Sequence, residues 1–583
     1  MISATRCQPA GCRSNMKRTH GAQVIAQALQ TAIAHHQRGD LVSARALYQQ
    51  ILAQEPQNPD ALHLLGLIEH QQGNSQAGLR AIQQAIELRP DDATFHFNLA
   101  NMQQELGQYD QAIASYQRVL VLQPDSVEAL NYLAIAWRLA GDMEQAEQTF
   151  RRALDLGGDR QAEIHSNLLF TLLHDSRKSA AEVFAEHQQY AQWVETPLKP
   201  LWQPHTNSRD TQRRLKIAYV SGDFCAHVVA YFIEPILAQH DKSAFEVFAY
   251  YSYHLHDAHT RAIANSVDHW RECFGVTDEG VAQCIRDDGI DILIDLSGHT
   301  VYNRLPVFAR KPAPVQVNWV GYPGSTGLTC IDYCISDPWQ DAPGVTERYH
   351  SEALVRLPSG MAFEPDPASP PANPLPALQG ERLTLACLNN LSKVNPAVIA
   401  LWSRILHALP QARLMLGNAG EDSVRARLLG LFAQHQIGPE RLVLQPRVPM
   451  ADYLALHHQI DLALDPFPYN GGTTTMHSLW MGVPVVSLTG DHAVSRLSAA
   501  HLSRVGLNEF ISHSEDDYLQ CVLTFANDLP RLSQVRQSLR QRMNASECSP
   551  ANITRHVEAA YREMWRKWCG TAACKGSLAC VKR

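Results

Sequence analysis

Two glycines followed by three threonines stand out in the stretch DPFPYNGGTTTMHSLWMGVPVVSLTG, residues 465–490. The letters IDLALDP predict a strand and a loop, and TTTMHSLWMGVP predicts a helix that begins at Thr473 and Thr474. Glycine lets a backbone approach a ligand closely, and the first turn of a helix offers N–H donors and partial positive charge to phosphate. Gly471, Gly472 and the threonines can therefore cradle an anion. The alternative is an ordinary loop and helix cap, because threonine caps many helices.

Two further side chains are candidates for the same chemistry. Lys393, in CLNNLSKVNPAV, follows a strand and precedes a helix that Pro396 helps to start, so its ammonium could neutralise a leaving phosphate. His227, in SGDFCAHVVAYF, lies in the turn after a strand of another region, where a neutral imidazole could accept a hydroxyl proton. On position alone, Lys393 fits a solvated surface lysine equally well, and most of the 27 histidines need no catalytic role.

Metal ligands are not evident at these residues, because the chain contains neither Asp-X-Asp nor His-Glu-X-X-His. We therefore expect no metal and no cofactor, although ligands distant in sequence could still converge on a metal. Without a metal, Lys393 and the helix N-terminus must stabilise any leaving diphosphate. Cys569, Cys574 and Cys580 are irregularly spaced, so residues 568–583 predict a frayed tail rather than a metal site.

Alternating strand and helix patterns must position these side chains. Short apolar runs such as LKIAYVSGDF, DILIDLSGH, LTLACLNN and PVVSLTG, each followed by turn residues, are typical of buried parallel strands. They predict two doubly wound α/β domains, residues 213–357 and 381–567, joined by a proline-rich linker at residues 358–380. Because ligands bind beyond the carboxyl ends of such strands, we expect the site in the cleft between the two domains.

A 34-residue period marks the N-terminal part of the chain. Gly39, Gly73, Gly107 and Gly141 follow this period, with prolines and small residues in matching registers. It is the period of tetratricopeptide repeats, which are helix-turn-helix units that stack into a solenoid with a concave groove. We expect a helical domain over residues 23–200 whose groove engages protein or peptide, and which could also pair two copies of the chain. A bare structural spacer is the alternative.

Composition excludes several classes of protein. The 583 residues are 45% hydrophobic and 19% charged, with a formal charge of −8, which argues against a nucleic-acid partner. No apolar run is long enough to predict a membrane span. Residues 1–22 predict a disordered extension without the apolar core of a secretory signal, and Met16 could be the true start. Thirteen scattered cysteines indicate free thiols, so we expect a cytoplasmic protein.

The motifs, in this order, resemble the O-GlcNAc transferases of glycosyltransferase family 41. The resemblance covers about residues 24–567 and includes the repeats, AYVSGDFCAH, RKPAPVQVNWVGYPGSTG, CLNNLSKVNP and LDPFPYNGGTTTMHSLWMGVPVVSL. It implies an α-helical repeat solenoid followed by a GT-B fold, in which two Rossmann-like domains face a cleft. It also implies inverting, metal-independent transfer of GlcNAc from the co-substrate UDP-GlcNAc to Ser or Thr hydroxyls of proteins, with UDP as product. The short proline-rich linker resembles that of bacterial members.

Family roles carry over to this sequence residue by residue. Lys393 matches the lysine that binds the nucleotide diphosphate, and Asn390 matches an amide residue that contacts the nucleotide. His227 matches the active-site histidine, whose role as base stays open between this residue, the donor phosphate and water. The resemblance also assigns a position near the donor sugar nucleotide to Gly321, Tyr322 and Pro323 of the GYPGSTG loop, and to Gly471, Thr473 and Thr474 of the diphosphate stretch.

Some positions depart from the family pattern. Gly472 stands where the family has a histidine, and His477 replaces an aspartate that binds ribose. Met450 and Tyr453 stand where the family has a lysine and a histidine, so only stacking of Tyr453 on uracil is expected there. A histidine can hydrogen-bond a ribose hydroxyl, but these changes leave the choice of nucleotide open.

The sequence is also compatible with three alternatives to a Ser/Thr GlcNAc transferase. The departures at positions 450, 472 and 477 fit a repeat scaffold whose transferase half is degenerate. A second alternative is an enzyme of the same fold with another reaction, such as a sugar-nucleotide epimerase, although this leaves the repeats unexplained. A third is a transferase that uses UDP-glucose or modifies Asn.

Overall fold

The computed structural model describes residues 11–380 and 382–579. The chain forms two compact units, residues 1–140 and residues 141–583. Residues 1–10 of the expected extension and residues 580–583 of the expected tail lie outside the described residues. Residues 11–22 belong to the first helix and residues 568–579 to the last. Within the described ranges, no helix combines the length and the apolar character needed to cross a bilayer.

The first unit, over its described residues, is built from helices whose turns follow the 34-residue period. Gly39, Gly73 and Gly107 have φ of 77°, 86° and 74°, a left-handed conformation that glycine adopts without strain. The side chains of Asp40 and Asn58 accept N–H groups at the starts of the helices that follow them. The helices are α1 (Gly11–Gln37), α2 (Leu41–Gln54), α3 (Pro59–Gln71), α4 (Ser75–Leu88), α5 (Ala93–Glu105), α6 (Tyr109–Leu122) and α7 (Val127–Ala140).

Small residues let paired helices of this unit approach closely. A Cβ added to Gly78 in α4 would lie 2.6 Å from the carbonyl oxygen of Gly66 in α3. Ala44 and Ala112, in the same register as Gly78, are fully buried. The tetratricopeptide architecture predicted from the spacing is therefore confirmed.

The second unit opens with α8 (Met143–Leu156), α9 (Gln161–Leu172) and α10 (Ala180–Val194). Leu169 of α9 and Tyr190 of α10 share a hydrophobic cluster with Val220 and Leu293 of the first sheet. These last helices of the predicted helical domain therefore pack as part of the α/β unit. The domain boundary expected at residue 200 falls inside that unit.

The first lobe is a parallel sheet with the strand order β3-β2-β1-β4-β5-β6-β7 among the described residues. Its central strands β4 and β5 are buried along their whole length, as expected where helices cover both faces of a parallel sheet. The strands are β1 (Leu215–Ser221), β2 (Phe245–Tyr251), β3 (His269–Glu272), β4 (Ile292–Asp295), β5 (Val315–Asn318), β6 (Tyr333–Ser336) and β7 (Ala353–Arg356). Its helices are α11 (Val228–Gln239), α12 (Ala258–Ser266), α13 (Asp278–Asp288) and α14 (Leu305–Phe308).

The second lobe is a parallel sheet with the order β10-β9-β8-β11-β12-β13. Its strands are β8 (Thr384–Cys387), β9 (Arg413–Leu416), β10 (Leu442–Leu444), β11 (Leu462–Leu464), β12 (Val485–Leu488) and β13 (Ile511–Ser512). Its helices are α15 (Pro396–Ala408), α16 (Asp422–Ala433), α17 (Met450–Leu456), α18 (Thr473–Trp480), α19 (Leu497–Arg504), α20 (Glu515–Ala526) and α21 (Leu529–Asn544). The two doubly wound domains predicted from the strand pattern are confirmed.

The last helix, α22 (Pro550–Ala579), returns to the first lobe. Its residues Ile553, Val557, Tyr561 and Trp565 are buried in the core of that lobe. The sequence pattern had placed residues 550–567 in the second domain, because an apolar helix face does not reveal which sheet it covers.

The proline-rich linker is held against the second lobe. Arg536 of α21 donates to the carbonyl oxygen of Asn373 in the linker and to that of Ile460, each over 2.8 Å. Asp461 accepts the N–H groups of Ala377 and Thr384, one on each carboxylate oxygen. These bonds fix the linker beside the strands that lead to the candidate site.

Candidate active site

Lys393 lies beyond the carboxyl end of β8, in a 3₁₀ turn that precedes α15. Its Nζ donates to the carbonyl oxygen of Asn470 over 2.8 Å and stands 4.0 Å from the centre of the Tyr469 ring. Burial lowers the pKa of Lys393 to about 8, although the carboxyl of Asp465 acts in the opposite direction. The site therefore holds a cation whose charge an arriving anion would stabilise.

The start of α18 lies directly after Asn470, and therefore beside the lysine ammonium. Gly472 occupies the N-cap position, and no side chain makes a capping hydrogen bond to the helix, so the first N–H groups of α18 are available to a ligand. A Cβ on Gly471 would lie 2.5 Å from Oγ1 of Thr475, whereas the same atom on Gly472 would meet open space. Glycine is thus required by packing at position 471 and leaves room for a ligand at position 472.

Hydroxyl groups tie this helix start to its neighbours. Oγ1 of Thr474 donates to Oδ1 of Asn389 over 2.7 Å, which links α18 to the loop that carries Lys393. Oγ1 of Thr475 lies 2.8 Å from Oγ of Ser498, and that hydroxyl donates to the carbonyl oxygen of Gly471. The threonines and glycines form a rigid turn, which we call the glycine–threonine cradle (Gly471, Gly472, Thr473 and Thr474).

The carboxylate of Asp465 holds the cradle in place through hydrogen bonds. Its Oδ1 accepts the N–H of Gly471 and its Oδ2 accepts the hydroxyl of Ser487, each over 2.7 Å. Burial raises the pKa of this carboxyl to about 6, against the opposing effect of its hydrogen bonds and of Lys393. At neutral pH it therefore supplies a negative charge that helps keep the lysine protonated.

Aromatic and imidazole rings adjoin the cradle on α17 and α18. The ring of Tyr453 packs against His477 at 5.5 Å and against His457 at 5.3 Å, edge to face in both cases. Phe363 of the linker lies 6.3 Å from His477. Burial lowers the pKa of His477 to about 4, so the imidazole is neutral at physiological pH and can donate one hydrogen bond and accept another.

Asn390 is exposed, and its Oδ1 accepts the N–H of Ser392 at the start of the turn that carries Lys393. Met450 is the first residue of α17. The structure therefore brings Asn390, Lys393 and the cradle to one edge of the second sheet, with Tyr453 and His477 on the two helices next to it.

His227 lies at the matching edge of the first lobe. It is the N-cap of α11, where its Nδ1 accepts the N–H of Val229. The side chain is 45% exposed, and Nδ1 stands 3.5 Å from Oδ1 of Asp223. Burial raises the pKa of Asp223. Because Nδ1 faces the protein, Nε2 is the nitrogen left to meet a reactant.

The GYPGSTG loop follows β5 and is fixed by buried groups. A Cβ on Gly321 would lie 1.9 Å from the carbonyl oxygen of Leu296, so only glycine fits there. Glu352 accepts the hydroxyl of Ser325 and the N–H of Thr326, each over 2.7 Å. The phenol of Tyr322 is turned toward α10 rather than toward the cradle, with its oxygen 2.9 Å from Nε2 of His187.

Pro323, the next residue of that loop, lines a small cavity together with His187 and His492. Burial raises the pKa of Tyr322, and the nearby phenol of Tyr469 adds to this effect. The loop therefore lies close to the aromatic ring that contacts Lys393.

Two arginines hold the lobes together beside these edges. Arg504 of α19 forms a buried ion pair with Asp337, which follows β6 of the first lobe. Nε of Arg496 donates to the carbonyl oxygen of Trp339 over 3.0 Å. These bonds join the loop after β6 of the first lobe to α19 and the turn before it in the second lobe.

Several residues of the site were not predicted from the sequence. Asp223 and Asp465 each follow a strand within a quoted motif, and a buried carboxylate after a parallel strand is a signal that could have been used. Tyr469 and Asn389 are neighbours of residues that were predicted. His174, whose ring lies 4.5 Å from that of Tyr469, has no local signal, because only the tertiary fold brings the end of α9 to the cradle.

The profile described as Glycosyl transferase family 41 matches residues 155–363 and 377–554, more than half of the chain. The chain belongs to glycosyltransferase family 41. Tetratricopeptide-repeat profiles match residues 29–93, 63–103 and 97–160.

Relatives from plants and a bacterial structure agree with this membership. A Petunia hybrida protein described as a probable UDP-N-acetylglucosamine–peptide N-acetylglucosaminyltransferase SPINDLY is 38% identical over 412 residues, which are 69% of this chain and 44% of that protein. The protein of the same description from Solanum lycopersicum is 40% identical over 381 residues, 64% of this chain and 41% of its own length. The family 41 chain described here thus spans less than half the length of these plant relatives.

A variant of the Thermobaculum terrenum O-GlcNAc transferase matches the structure with a TM-score of 0.76 and 33% sequence identity. The match covers 94% of this chain and 99% of that one. The repeat solenoid followed by a GT-B fold, expected from the sequence, is therefore confirmed.

Proposed function

We propose that the protein transfers GlcNAc from UDP-GlcNAc to Ser or Thr hydroxyls of polypeptides. The observation that carries the proposal is the position of the Lys393 ammonium beside the uncapped N-terminus of α18. This arrangement provides two sources of positive charge for one diphosphate, in a chain that belongs to family 41. The names of its plant relatives and of the bacterial structure support the choice of donor and acceptor.

In this proposal the diphosphate lies on Lys393, Thr473 and Thr474. The lysine ammonium and the first N–H groups of α18 stabilise the negative charge that develops on UDP as the bond to the sugar breaks. Asp465 keeps the lysine protonated and holds the Gly471 backbone in place. Asn389 fixes Thr474, so that the cradle is already formed before the donor binds.

The nucleoside then extends toward α17. His477 would hydrogen-bond the ribose as a neutral imidazole, and the rings of Tyr453 and Phe363 would provide an apolar wall. Tyr453 meets His477 edge to face. The Tyr453 ring would therefore contact the uracil either through its edge or through one of its faces. Replacement of a family aspartate by His477 removes a charge from this pocket.

The acceptor hydroxyl attacks the anomeric carbon from the side of the first lobe. We propose in-line attack with inversion and without a metal ion. His227 lies on that side, and its Nε2 is available to accept the hydroxyl proton. For Nε2 to act as a base, Nδ1 must carry the proton and give up the N–H of Val229 that it accepts in the free protein. An ionised Asp223, whose Oδ1 lies 3.5 Å from Nδ1, would favour that tautomer.

The tetratricopeptide helices would deliver the polypeptide. Phe170 and His174, on and just after α9, contact the Tyr469 ring next to Lys393. The end of α9, which belongs to the α/β unit, thus contacts the sugar-nucleotide site. The polypeptide bound by the repeats would be the one that presents its Ser or Thr to this site.

Mass spectrometry of the reaction product tests the proposal. The full chain is incubated with UDP-GlcNAc and a mixture of Ser/Thr-containing peptides, with and without EDTA. We expect HexNAc on hydroxyl side chains in both conditions, and none with a Lys393→Ala variant that remains folded. Parallel reactions with UDP-glucose and binding assays with UDP, GDP and ADP establish the nucleotide and the sugar.

Contrary results would have distinct meanings. Transfer by Lys393→Ala at the rate of the unsubstituted chain would refute the role of the lysine. Loss of transfer in EDTA that is restored by a divalent metal would refute the metal-independent mechanism. Peptide binding without transfer from any sugar nucleotide would establish the repeat scaffold instead.

A further inference from the structure

Four aromatic rings form a continuous row at the carboxyl edge of the first sheet. The rings of Tyr302 and Tyr253 stack at 4.2 Å, Tyr253 meets His254 at 4.4 Å, and His254 meets Phe274 at 5.0 Å. Phe274 is 54% exposed and Tyr302 is 47% exposed. We call this row, which spans the loops after β2, β3 and β4, the aromatic shelf.

The shelf is attached to the loop that leads to His227. Tyr302 has φ of 60°, a left-handed conformation that is unfavourable for a residue with a bulky side chain. A Cβ on Gly222 would lie 2.6 Å from Cβ of Tyr302, and Oγ of Ser252 donates to the carbonyl oxygen of Tyr302 over 3.0 Å. The fold therefore keeps a strained tyrosine in contact with the first turn of the segment that carries the candidate base.

A cavity of about 350 Å³ lies against the shelf, between Phe274, Val276, Thr277 and Tyr302. Its one charged lining residue among the described residues is Arg304, which is paired with Asp278 and donates to the carbonyl oxygen of Cys273. The charge is thus already neutralised. Such a surface suits a neutral, apolar group, and aromatic rings pack well on other rings.

We propose that the aromatic shelf binds an apolar or aromatic side chain of the acceptor polypeptide, near the hydroxyl that receives the sugar. The inference rests on the proposed function and names a preference of its acceptor site. The shelf is continuous with the catalytic edge, since β2 and β4 are the neighbours of β1, whose loop carries His227. This continuity argues for the acceptor as the occupant.

Geometry sets the spacing between the hydroxyl and the bound side chain. Neighbouring strands lie about 4.8 Å apart, so the loop after β3, two strands from β1, is about 10 Å from the loop of His227. An extended polypeptide spans about 3.3–3.6 Å per residue. The preferred side chain therefore lies about three residues from the modified Ser or Thr.

Fluorescein-labelled peptides with a single Ser in an Ala/Gly background test the preference. One peptide carries Phe about three residues from the Ser on each side, and its matched partner carries Ala at these positions. Anisotropy measures binding to the full chain, and transfer from UDP-GlcNAc is measured separately. We expect the Phe peptide to bind the unsubstituted chain at least tenfold more tightly than the Ala peptide.

The variant that removes the shelf is Phe274→Ala combined with Tyr302→Gly. Glycine accepts the positive φ at position 302, so we expect the variant to fold. It should lose the tenfold preference, with a raised KM for the Phe peptide and an unchanged kcat. UDP binding should not change. Leu378→Ala, at an exposed leucine in the linker, is the matched control and should keep the preference.

Equal binding of both peptides by the unsubstituted chain would overturn the proposal, as would an unchanged preference in the shelf variant. A dimer in sedimentation that dissociates on removal of the shelf would also overturn it, because a second copy would then be the occupant. Absence of transfer to either peptide would count against the proposed function, whereas the anisotropy comparison would still decide whether the shelf binds apolar side chains.

Discussion

At the scale of single residues, the central feature is a cation kept in a place where its charge is unfavourable. Burial lowers the pKa of Lys393 to about 8, and its partners are a carbonyl oxygen and an aromatic ring rather than a carboxylate in direct contact. Structural lysines are normally solvated. This combination is typical of functional sites, where a perturbed pKa accompanies a specific task.

The first prediction concerns stability. Lys393→Met removes a charge that burial disfavours and keeps most of the apolar stem, so we expect an equal or greater free energy of unfolding. At roughly 2 cal/mol/K of unfolding entropy per residue, a gain of about 1 kcal/mol in the unit of residues 141–583 would raise the midpoint of thermal unfolding by about 1 °C. Differential scanning calorimetry of both proteins measures this change. A fall of several degrees would show that the lysine is mainly structural.

The second prediction concerns the pH dependence of UDP binding. A diphosphate favours the protonated lysine, so binding raises the pKa of Lys393 above its value of about 8 in the free protein. Affinity is then fully present below pH 8 and falls as pH rises, by up to tenfold per pH unit. Titrations between pH 7 and roughly pH 9.5 test the slope. In Lys393→Met the remaining affinity for UDP should not change with pH over this range. An affinity of the unsubstituted chain that does not change with pH would contradict the assignment of Lys393 as the group that binds the diphosphate.

At the scale of elements, loops after parallel strands position the chemistry. The cradle follows β11, the lysine turn follows β8 and the GYPGSTG loop follows β5. Each is fixed by a buried polar group: Asp465 under the cradle, Asn389 between cradle and lysine turn, and Glu352 under the loop. These anchors reduce the reorganisation needed when a ligand binds.

The third prediction tests the close packing of the GYPGSTG loop. Gly321→Ala places a Cβ 1.9 Å from the carbonyl oxygen of Leu296, so backbone must move and we expect a loss of about 3 kcal/mol or more. Gly324→Ala is the matched control, because its Cβ would meet only the ring of Tyr322 at 3.2 Å. Thermal unfolding of both variants measures the difference, and equal midpoints would show that the loop adjusts freely.

The sequence predicts elements better than it predicts their partners. The glycine period and the strand runs carry local signals, so the repeats, both sheets and the positions of Lys393 and the cradle could be inferred before the fold was known. Tyr469 and His174 could not, because their roles arise from contacts between α9 and a loop far along the chain. The return of α22 to the first lobe was missed for the same reason.

At the scale of the whole molecule, the α/β unit depends on links between its lobes. The buried pair of Arg504 and Asp337 connects α19 with the loop after β6. The α22 helix crosses back to the first core, and Arg536 fixes the linker to the second lobe. Together these contacts join the two lobes and the linker.

The fourth prediction compares a buried ion pair with an exposed one. Arg504→Ala leaves Asp337 buried without its partner, and we expect a loss of about 3–5 kcal/mol. Arg404→Ala removes a partner of the exposed Asp516 and should change stability by less than about 1 kcal/mol. Chemical denaturation of the two variants measures both losses. Similar small losses would show that the lobes are held mainly by other contacts.

Calorimetric titration of UDP into the full chain decides whether the diphosphate site exists. It is carried out with EDTA and without added metal, for the unsubstituted protein and for Lys393→Met. We predict that the unsubstituted protein binds UDP and that the folded variant binds it at least tenfold more weakly, because a charge-assisted contact of about 1.5–3 kcal/mol is lost. Equal affinity in the two proteins would contradict the diphosphate site. A folded chain that binds neither UDP nor another nucleoside diphosphate would contradict the transferase itself.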